Sequence, residues 1–173
     1  MKSEQCVIRS IRADDLATFK ALRLEALRDH PEAFGSDYEE SLREPESYWQ
    51  ERVGRAIESD GQIIFLADAG SELAGMLGVF RSTGAKNRHA AMIWGVYIRP
   101  TFRGQGLTEK LMRAAIEWAA QQKVRILRLA VGTFNAPAIH CYQRCGFIVY
   151  GVSPEEIRVG DVYHDEILMF RRV

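Results

Sequence analysis

The segment Arg103–Thr108, which reads Arg-Gly-Gln-Gly-Leu-Thr, has the residue types and spacing of an anion-binding turn. An apolar run, Met92–Ile98, precedes it, and a helical pattern that begins at Leu107 follows it. Glycines between a strand and a helix let the chain turn tightly and direct several unpaired backbone N–H groups toward one point. That point lies at the positive end of the helix dipole, where phosphate binds readily. The segment therefore predicts a site for a phosphorylated small molecule.

Two common glycine-rich phosphate motifs do not fit this segment. A P-loop requires Gly-Lys followed by Ser or Thr, and the chain contains no Gly-Lys pair. The dinucleotide fingerprint requires a third glycine at the position of Glu109, and it belongs in a first βαβ unit. A nucleotide-binding regulator of Rossmann type would need a mostly parallel sheet with the glycine turn in that first unit.

A third motif fits this segment, and a second segment of the chain supports that interpretation. Asn135–Phe147 follows the pattern Asn-x-x-Ala-x-x-x-Tyr-x-x-x-Gly-Phe, and one helix and one strand separate it from the glycine turn. The two segments resemble the signatures of the GNAT superfamily of acyl-CoA-dependent N-acyltransferases, Arg-x-x-Gly-x-Gly/Ala being the first. The order of predicted elements resembles the GNAT fold over nearly the whole chain.

This resemblance implies that acetyl-CoA binds as acyl-donor co-substrate between two central parallel strands that splay apart, Ala90–Ile98 and Ile126–Val131. Backbone groups on the first strand pair with the pantetheine arm, N–H groups of the glycine turn hold the pyrophosphate, and Asn135 caps a helix and contacts the cofactor. The implied cofactor-binding residues are Val96, Tyr97, Ile98, Arg103, Gly104, Gln105, Gly106, Leu107, Thr108, Glu109, Asn135 and Tyr142. Thr108 departs from the usual Gly or Ala and adds bulk or a hydroxyl near the anion, although its N–H remains available.

The resemblance also implies that Tyr142 is the catalytic residue, placed near the thioester sulfur to protonate the leaving thiolate. A neutral amine attacks the thioester directly in a ternary complex, and a backbone N–H near Val96–Tyr97 meets the oxyanion. Proton transfer from a phenol of pKa about 10 to a thiolate of conjugate pKa about 8.5 is uphill by roughly 2 kcal/mol, so it needs local help. From the residues alone, Tyr142 could also be a helix residue packed against the sheet.

The sequence supplies no evident general base. Some relatives carry a Glu five positions before the matching Asn, where this chain has Ala130. The other side chains that could accept a proton are typical of solvated surfaces; they are Glu32, Asp37, Glu39, His89 and His164. We expect Phe34 and Trp94 to line the acceptor pocket, with Tyr38 and Trp49 as further candidates, although core packing would explain each aromatic residue on its own.

Composition favours one globular domain over residues 1–173. The 23 basic and 23 acidic residues balance, so no global field draws the chain to nucleic acid or to a membrane. Three cysteines, Cys6, Cys141 and Cys145, predict reduced thiols near the core rather than disulfides or a metal site. Because no apolar run reaches about 20 residues and no signal peptide is evident, we expect a cytoplasmic protein.

Periodicity and element order predict an α/β fold with a mixed sheet of about seven strands and helices on both faces. The resemblance to the GNAT fold implies that the sheet is mostly antiparallel. A polar loop is expected around Pro154 and Gly160, and an exposed last strand could pair across a homodimer. The predicted strands are 6–11, 63–67, 73–80, 90–98, 126–131, 147–150 and 162–170, and the helices run from Leu16 to Pro31, 47–57, 107–121 and 135–145.

The sequence therefore predicts an N-acetyltransferase that acts on a primary amine of a small molecule or a protein. Two alternatives remain: a catalytically weak module that senses acyl-CoA, and a transferase of a longer acyl group. The glycine turn identifies the donor and leaves the acceptor amine unnamed.

Overall fold

Seven strands and five helices form the fold in the computed structural model, which describes residues 6–173. Single 3-10 turns, Ala13–Asp15, Pro31–Ala33 and Pro100–Phe102, connect some of them. The strands are β1 Val7–Ser10, β2 Gln62–Asp68, β3 Leu73–Arg81, β4 Ala90–Ile98, β5 Ile126–Gly132, β6 Ile148–Val159 and β7 Val162–Arg172. The helices are α1 Leu16–Asp29, α2 Tyr38–Arg43, α3 Glu46–Glu58, α4 Leu107–Gln121 and α5 Ala136–Arg144. Within this range, no helix is both long and apolar enough to span a bilayer.

The strands form one sheet in the order β1-β2-β3-β4-β5-β7-β6, in which β4 and β5 are the parallel neighbours. Helices cover both faces because side chains alternate along each strand. On β3, Met76 packs with α1 and α3, whereas Leu77 packs with α4 and α5. The predicted fold class, with a mixed and mostly antiparallel sheet, is confirmed.

The parallel pair separates soon after it forms. Registered pairs join β4 to β5 at only three positions, ending at Met92 opposite Arg128. A bulge on β4 places Gly95 and Val96 opposite the single residue Leu77 on β3, and Gly95 has a φ of +64°. A bulge of this kind bends its strand and increases the local twist, so β4 turns away from β5. Beyond Met92, the backbone groups of β4 that would face β5 therefore border an open gap.

Two segments outside the predicted helices and strands are partly regular structure. Helix α2 begins at Tyr38, with Asp37 as its N-cap accepting a hydrogen bond from the N–H of Glu40 at 2.9 Å. Strand β6 continues through Pro154 to Val159, with a bulge between Ser153 and Ile157. Proline is tolerated there because β6 is an edge strand, on which one row of N–H groups has no partner. The expectation that the last strand is the exposed edge is wrong, since β7 lies between β5 and β6.

Arg9 on β1 joins the first turn to β2. Its guanidinium donates to both carboxylate oxygens of Asp15, at 2.6 and 2.7 Å, and its Nε donates to Asp68 at 2.7 Å. The N–H of Arg12 also donates to Asp15 at 2.7 Å. These hydrogen bonds, led by the one from Arg9, lower the pKa of the Asp15 carboxyl although burial acts against them.

We expect Asp15→Asn to lower the free energy of unfolding by about 2 kcal/mol at pH 7, because it weakens charge-assisted hydrogen bonds at a site only 7% exposed. A carboxyl whose folded pKa is depressed stabilises the fold above its unfolded pKa of about 3.9. That contribution is lost as pH falls through the folded pKa, so the difference between the proteins should shrink below about pH 4. Urea denaturation between pH 3 and 7 measures it. Asp14, the exposed neighbour of Asp15, provides the control. Equal effects of Asp14→Asn and Asp15→Asn would contradict this account.

Candidate functional site

A cavity of about 710 Å³ lies where β4 has left β5, between the glycine turn and α5. All but one of the predicted cofactor-binding residues line it, and the exception is Gln105. Those that line it are Val96, Tyr97, Ile98, Arg103, Gly104, Gly106, Leu107, Thr108, Glu109, Asn135 and Tyr142. The fold thus brings together one strand edge, one turn and one helix that are separated in sequence.

The glycine turn presents a run of backbone donors to this cavity. Gly104 and Gly106 have φ values of +78° and +71°, in the left-handed region that favours glycine. Within residues 6–173, no group accepts a hydrogen bond from the backbone N–H groups of Gly104–Glu109. The N–H of Arg103 differs, because it already donates to the carbonyl of Pro100 at 3.2 Å. The available donors therefore begin at Gly104.

Arg103 fixes the turn through its side chain. Its Nε donates to the carbonyl oxygen of Ile98 at 3.1 Å, and its Nη2 lies 3.0 Å from Nε2 of His30. The guanidinium thus connects the end of β4 to the chain after α1. Since Arg103 also lines the cavity, it adds a positive charge beside the N-terminus of α4.

The second sequence motif forms another wall of this cavity, which includes Asn135 and Tyr142. Asn135 accepts a hydrogen bond from the N–H of Ala138 at 3.3 Å, which confirms the predicted helix cap. Tyr142 is 6% exposed and packs against Phe147, with ring centroids 6.5 Å apart. No group of the described chain forms a hydrogen bond with its hydroxyl, and burial raises the pKa of the phenol well above its usual value. Tyr142 therefore keeps its proton.

A second cavity, of about 530 Å³, adjoins the first. Ala33 and Phe34 line both cavities. Phe34 and Trp94, the two predicted substrate residues, line the second cavity together. Tyr38 and Trp49 line neither, and Trp49 is a core residue only 1% exposed. The structure thus places Phe34 and Trp94 at the cavity and Trp49 in the core, a distinction that residue spacing alone does not make.

Glu166, which the sequence analysis did not single out, lines the second cavity beside Ala130. Pairing between β5 and β7 places Glu166 opposite Gly132 and Leu168 opposite Ala130. Burial, and then repulsion from Glu156, raises the pKa of the Glu166 carboxyl. A half-buried glutamate with a raised pKa has the properties of a proton acceptor near neutral pH.

The five proton acceptors named from sequence do not gather in this second cavity. Glu32 lines the first cavity, and the remaining four line neither. Asp37 caps α2, Glu39 lies 3.7 Å from Arg43, and His164 packs edge-on against Phe134. His89 is exposed in the turn before β4.

All three cysteines are buried, as predicted, and Cys141 and Cys145 carry free thiols. No group of metal-ligating side chains occurs within residues 6–173. Cys141 lines the first cavity beside Tyr142, and burial raises the pKa of its thiol. Burial likewise raises the pKa of the neighbouring Cys145 to about 11. This wall of the cavity therefore disfavours a bare thiolate.

Residues 20–147 match the family model described as acetyltransferase (GNAT) family. This chain belongs to the GNAT family. The matched range includes β4, which lines both cavities, as well as the glycine turn and the whole of α5. The resemblance seen in the sequence motifs is therefore confirmed.

The GNAT relatives agree with this assignment. An uncharacterized N-acetyltransferase of Methanocaldococcus jannaschii is 30% identical over 81% of this chain and 59% of its own length. Streptothricin acetyltransferase of Streptomyces lavendulae is 35% identical over 56% of this chain and 49% of its own length. The chain thus spans about half the length of these curated relatives, 59% of the first and 49% of the second. A GNAT-family acetyltransferase structure from Streptococcus pneumoniae, 25% identical, superposes with a TM-score of 0.85 over 97% of this chain and 99% of that one.

Replacing glycine by alanine should have opposite effects on the free energy of unfolding at Gly106 in the glycine turn and at Gly54 in α3. We expect Gly106→Ala to lower the free energy of unfolding by about 1 kcal/mol, because alanine is strained at positive φ. Gly54→Ala, in the interior of α3 and with open space around a new Cβ, should raise it by up to about 1 kcal/mol. Guanidinium denaturation of the two variants compares them directly. Equal shifts of the same sign would contradict the conformational explanation.

Proposed function

We propose that this GNAT family member is an acetyl-CoA-dependent N-acetyltransferase that transfers acetyl to a primary amine in a ternary complex. The observation that carries this proposal is the pair of adjoining cavities at the splayed strands. One cavity holds the unpaired N–H groups of the turn and Tyr142, and the other holds Glu166. Two substrates bound in the two cavities would meet beside Ala33 and Phe34.

The first cavity has the chemistry that acetyl-CoA requires. The free N–H groups of Gly104–Glu109 suit the pyrophosphate, and the side chain of Arg103 adds a cation. The unpaired edge of β4 at Val96–Ile98 can form strand-like hydrogen bonds with the pantetheine amides. Acetyl-CoA supplies the acetyl group as a thioester. Asn135 and the hydroxyl of Thr108 are two further polar side chains that line this cavity.

Residues of both cavities take part in the proton transfers of the reaction. Glu166 takes a proton from the acceptor ammonium, which leaves a neutral amine able to attack the thioester carbonyl. A backbone N–H near Val96–Tyr97 stabilises the negative charge that develops on the carbonyl oxygen. As the C–S bond breaks, Tyr142 donates its proton to the departing sulfur, and the proton that the nitrogen loses on becoming an amide restores the phenol.

The buried environment supplies the help that proton donation by Tyr142 needs. Burial raises the pKa of Tyr142, which by itself makes donation harder. The same surroundings raise the pKa of neighbouring thiols, to about 11 at Cys145. A coenzyme sulfur placed against this wall would lose contact with water in the same way, which favours its protonated form.

Glu166 also favours an enzyme over a module that only senses acyl-CoA. The sensing alternative drew support from Ala130, which stands where some relatives carry a glutamate. Glu166 supplies a carboxylate in the same cavity from the adjacent strand. A single domain over 1–173, a cytoplasmic location and a homodimer remain predictions, the last with β6 as the strand edge available for pairing.

We expect the protein to release free thiol from acetyl-CoA when a suitable amine from a panel is present, and Tyr142→Phe to lower kcat by about 100-fold or more. The affinity for acetyl-CoA should stay near that of the wild type, because the phenyl ring keeps its packing against Phe147. Thiol release gives kcat, and calorimetry gives the affinity.

Tyr150→Phe is the matched control, since Tyr150 is 51% exposed on β6 and lines neither cavity. It removes the same hydroxyl and should leave kcat unchanged. Full activity of Tyr142→Phe at all pH values would exclude the assigned role. Absence of thiol release with every amine would exclude the transferase.

We expect Glu166→Gln to lower kcat by roughly 100-fold and to remove one ascending limb from its pH profile, because a general base works only when deprotonated. Glu156→Gln should keep activity and shift that limb to lower pH, since repulsion from Glu156 raises the pKa of Glu166. Steady-state rates between pH 5 and 9 distinguish the two variants. A limb that persists unchanged in Glu166→Gln belongs to the amine itself and would exclude Glu166 as the base.

A further inference from the structure

The second cavity contains a buried cation that the proposed chemistry does not use. Arg23 on α1 is 5% exposed, and its Nη1 is fully buried without a hydrogen-bond partner. Its one hydrogen bond runs from Nη2 to the hydroxyl of Ser36 at 3.3 Å. Within the described chain, Arg23 forms no ion pair. A buried charge without a partner is costly, so its retention needs an explanation.

A second cation lies beside it. The guanidinium of Arg52 on α3 lies 4.2 Å from the ring centroid of Trp94, donates to the hydroxyl of Tyr48 at 2.8 Å, and has a buried Nε without a partner. No described carboxylate pairs with Arg52 either. Burial, and then repulsion from Arg52, lowers the pKa of Arg23 to about 10, so Arg23 stays charged at neutral pH. Two neighbouring cations without an anion create a strongly positive spot.

This positive spot lies inside the cavity and close to the reacting strand. Arg23 and Arg52 both line the second cavity, and neither lines the first. A Cβ on Gly95 would lie 3.4 Å from Nη1 of Arg23, so the guanidinium packs against the β4 bulge. The guanidinium also lies 4.9 Å from the ring centroid of Phe34, which holds it in place. Phosphates bound in the first cavity would leave this charge uncompensated.

We propose that the acceptor amine also carries a carboxylate, which binds Arg23 and Arg52 while its amino group lies toward Glu166. This inference rests on the proposed transferase function and narrows its acceptor to a small amino acid. A cavity of about 530 Å³ accommodates a molecule of that size. Arginine suits carboxylates because its planar donors bind both oxygens. Glu166 provides the opposite charge in the same cavity, so the site matches a zwitterion.

This proposal is tested with sets of compounds that differ only in the carboxylate. One set is L-leucine, L-leucinamide and 3-methylbutylamine, and a second is L-phenylalanine, L-phenylalaninamide and 2-phenylethylamine. We expect kcat/KM for the amino acid to exceed that for its amide and amine by roughly 10- to 100-fold, as charge-assisted hydrogen bonds predict. The amide also imitates a peptide N-terminus, so preference for the amide would identify a protein acceptor and overturn the proposal.

Substitution of Arg23 should abolish this preference. In Arg23→Met, the ratio of amino acid to amide should fall by roughly tenfold or more. Lys20→Met is the control, because Lys20 lies one turn earlier on α1, pairs with Glu46 and lines neither cavity. It should leave the ratio unchanged. Equal ratios in the two variants would overturn the proposal, and Arg52→Met, on a different helix, repeats the test if Arg23→Met does not fold.

A binding measurement separates this proposal from the transferase function. Calorimetry with coenzyme A present should show N-acetyl-L-leucine binding at least tenfold more tightly than N-acetyl-L-leucinamide, with the difference lost in Arg23→Met. Because this measurement needs no turnover, such a difference without any thiol release would support the carboxylate site and refute the transferase. Thiol release from acetyl-CoA without any difference between acid and amide would refute the carboxylate site alone.

Discussion

The divergence of β4 from β5 is the constraint on which both cavities depend. Two parallel strands normally satisfy each other's backbone groups along their whole length, and here only three registered pairs do so. The bulge at Gly95 bends β4 away, and the remaining backbone edge faces a gap. Two hydrophobic clusters pack helices against the two faces of the sheet around this gap. The same distortion admits the guanidinium of Arg23, since a side chain at Gly95 would crowd it.

Local interactions explain which parts of the site the sequence reveals. The glycine turn, the Asn135 cap and the position of Tyr142 depend on residues a few places apart, so their spacing carries the information. Turn geometry follows from positive φ at Gly104 and Gly106, and the cap follows from a side chain reaching the N–H of Ala138. The number of strands and the central parallel pair also follow from periodicity and from the family motifs, whereas the position of the last strand in the sheet does not.

Long-range pairing explains what the sequence does not reveal. Glu166 enters the second cavity only because β7 pairs with β5 in a particular register, and no local pattern specifies that register. Arg23 lies among apolar residues of an amphipathic helix, where an arginine normally indicates a solvated face. The sequence predicts too short a β6, because Pro154 normally ends a strand, whereas an edge strand tolerates it.

The contact of both cavities with Ala33 and Phe34 has a consequence for ligand design. A single compound could join a pantetheine-like arm to an amino acid through a short linker across this shared wall. Its second half would bind at the high effective concentration that a linker creates, so its affinity would exceed that of either half by orders of magnitude. The size of the side chain at Phe34 would limit binding of such a bivalent inhibitor, because a bulkier side chain there would block the linker.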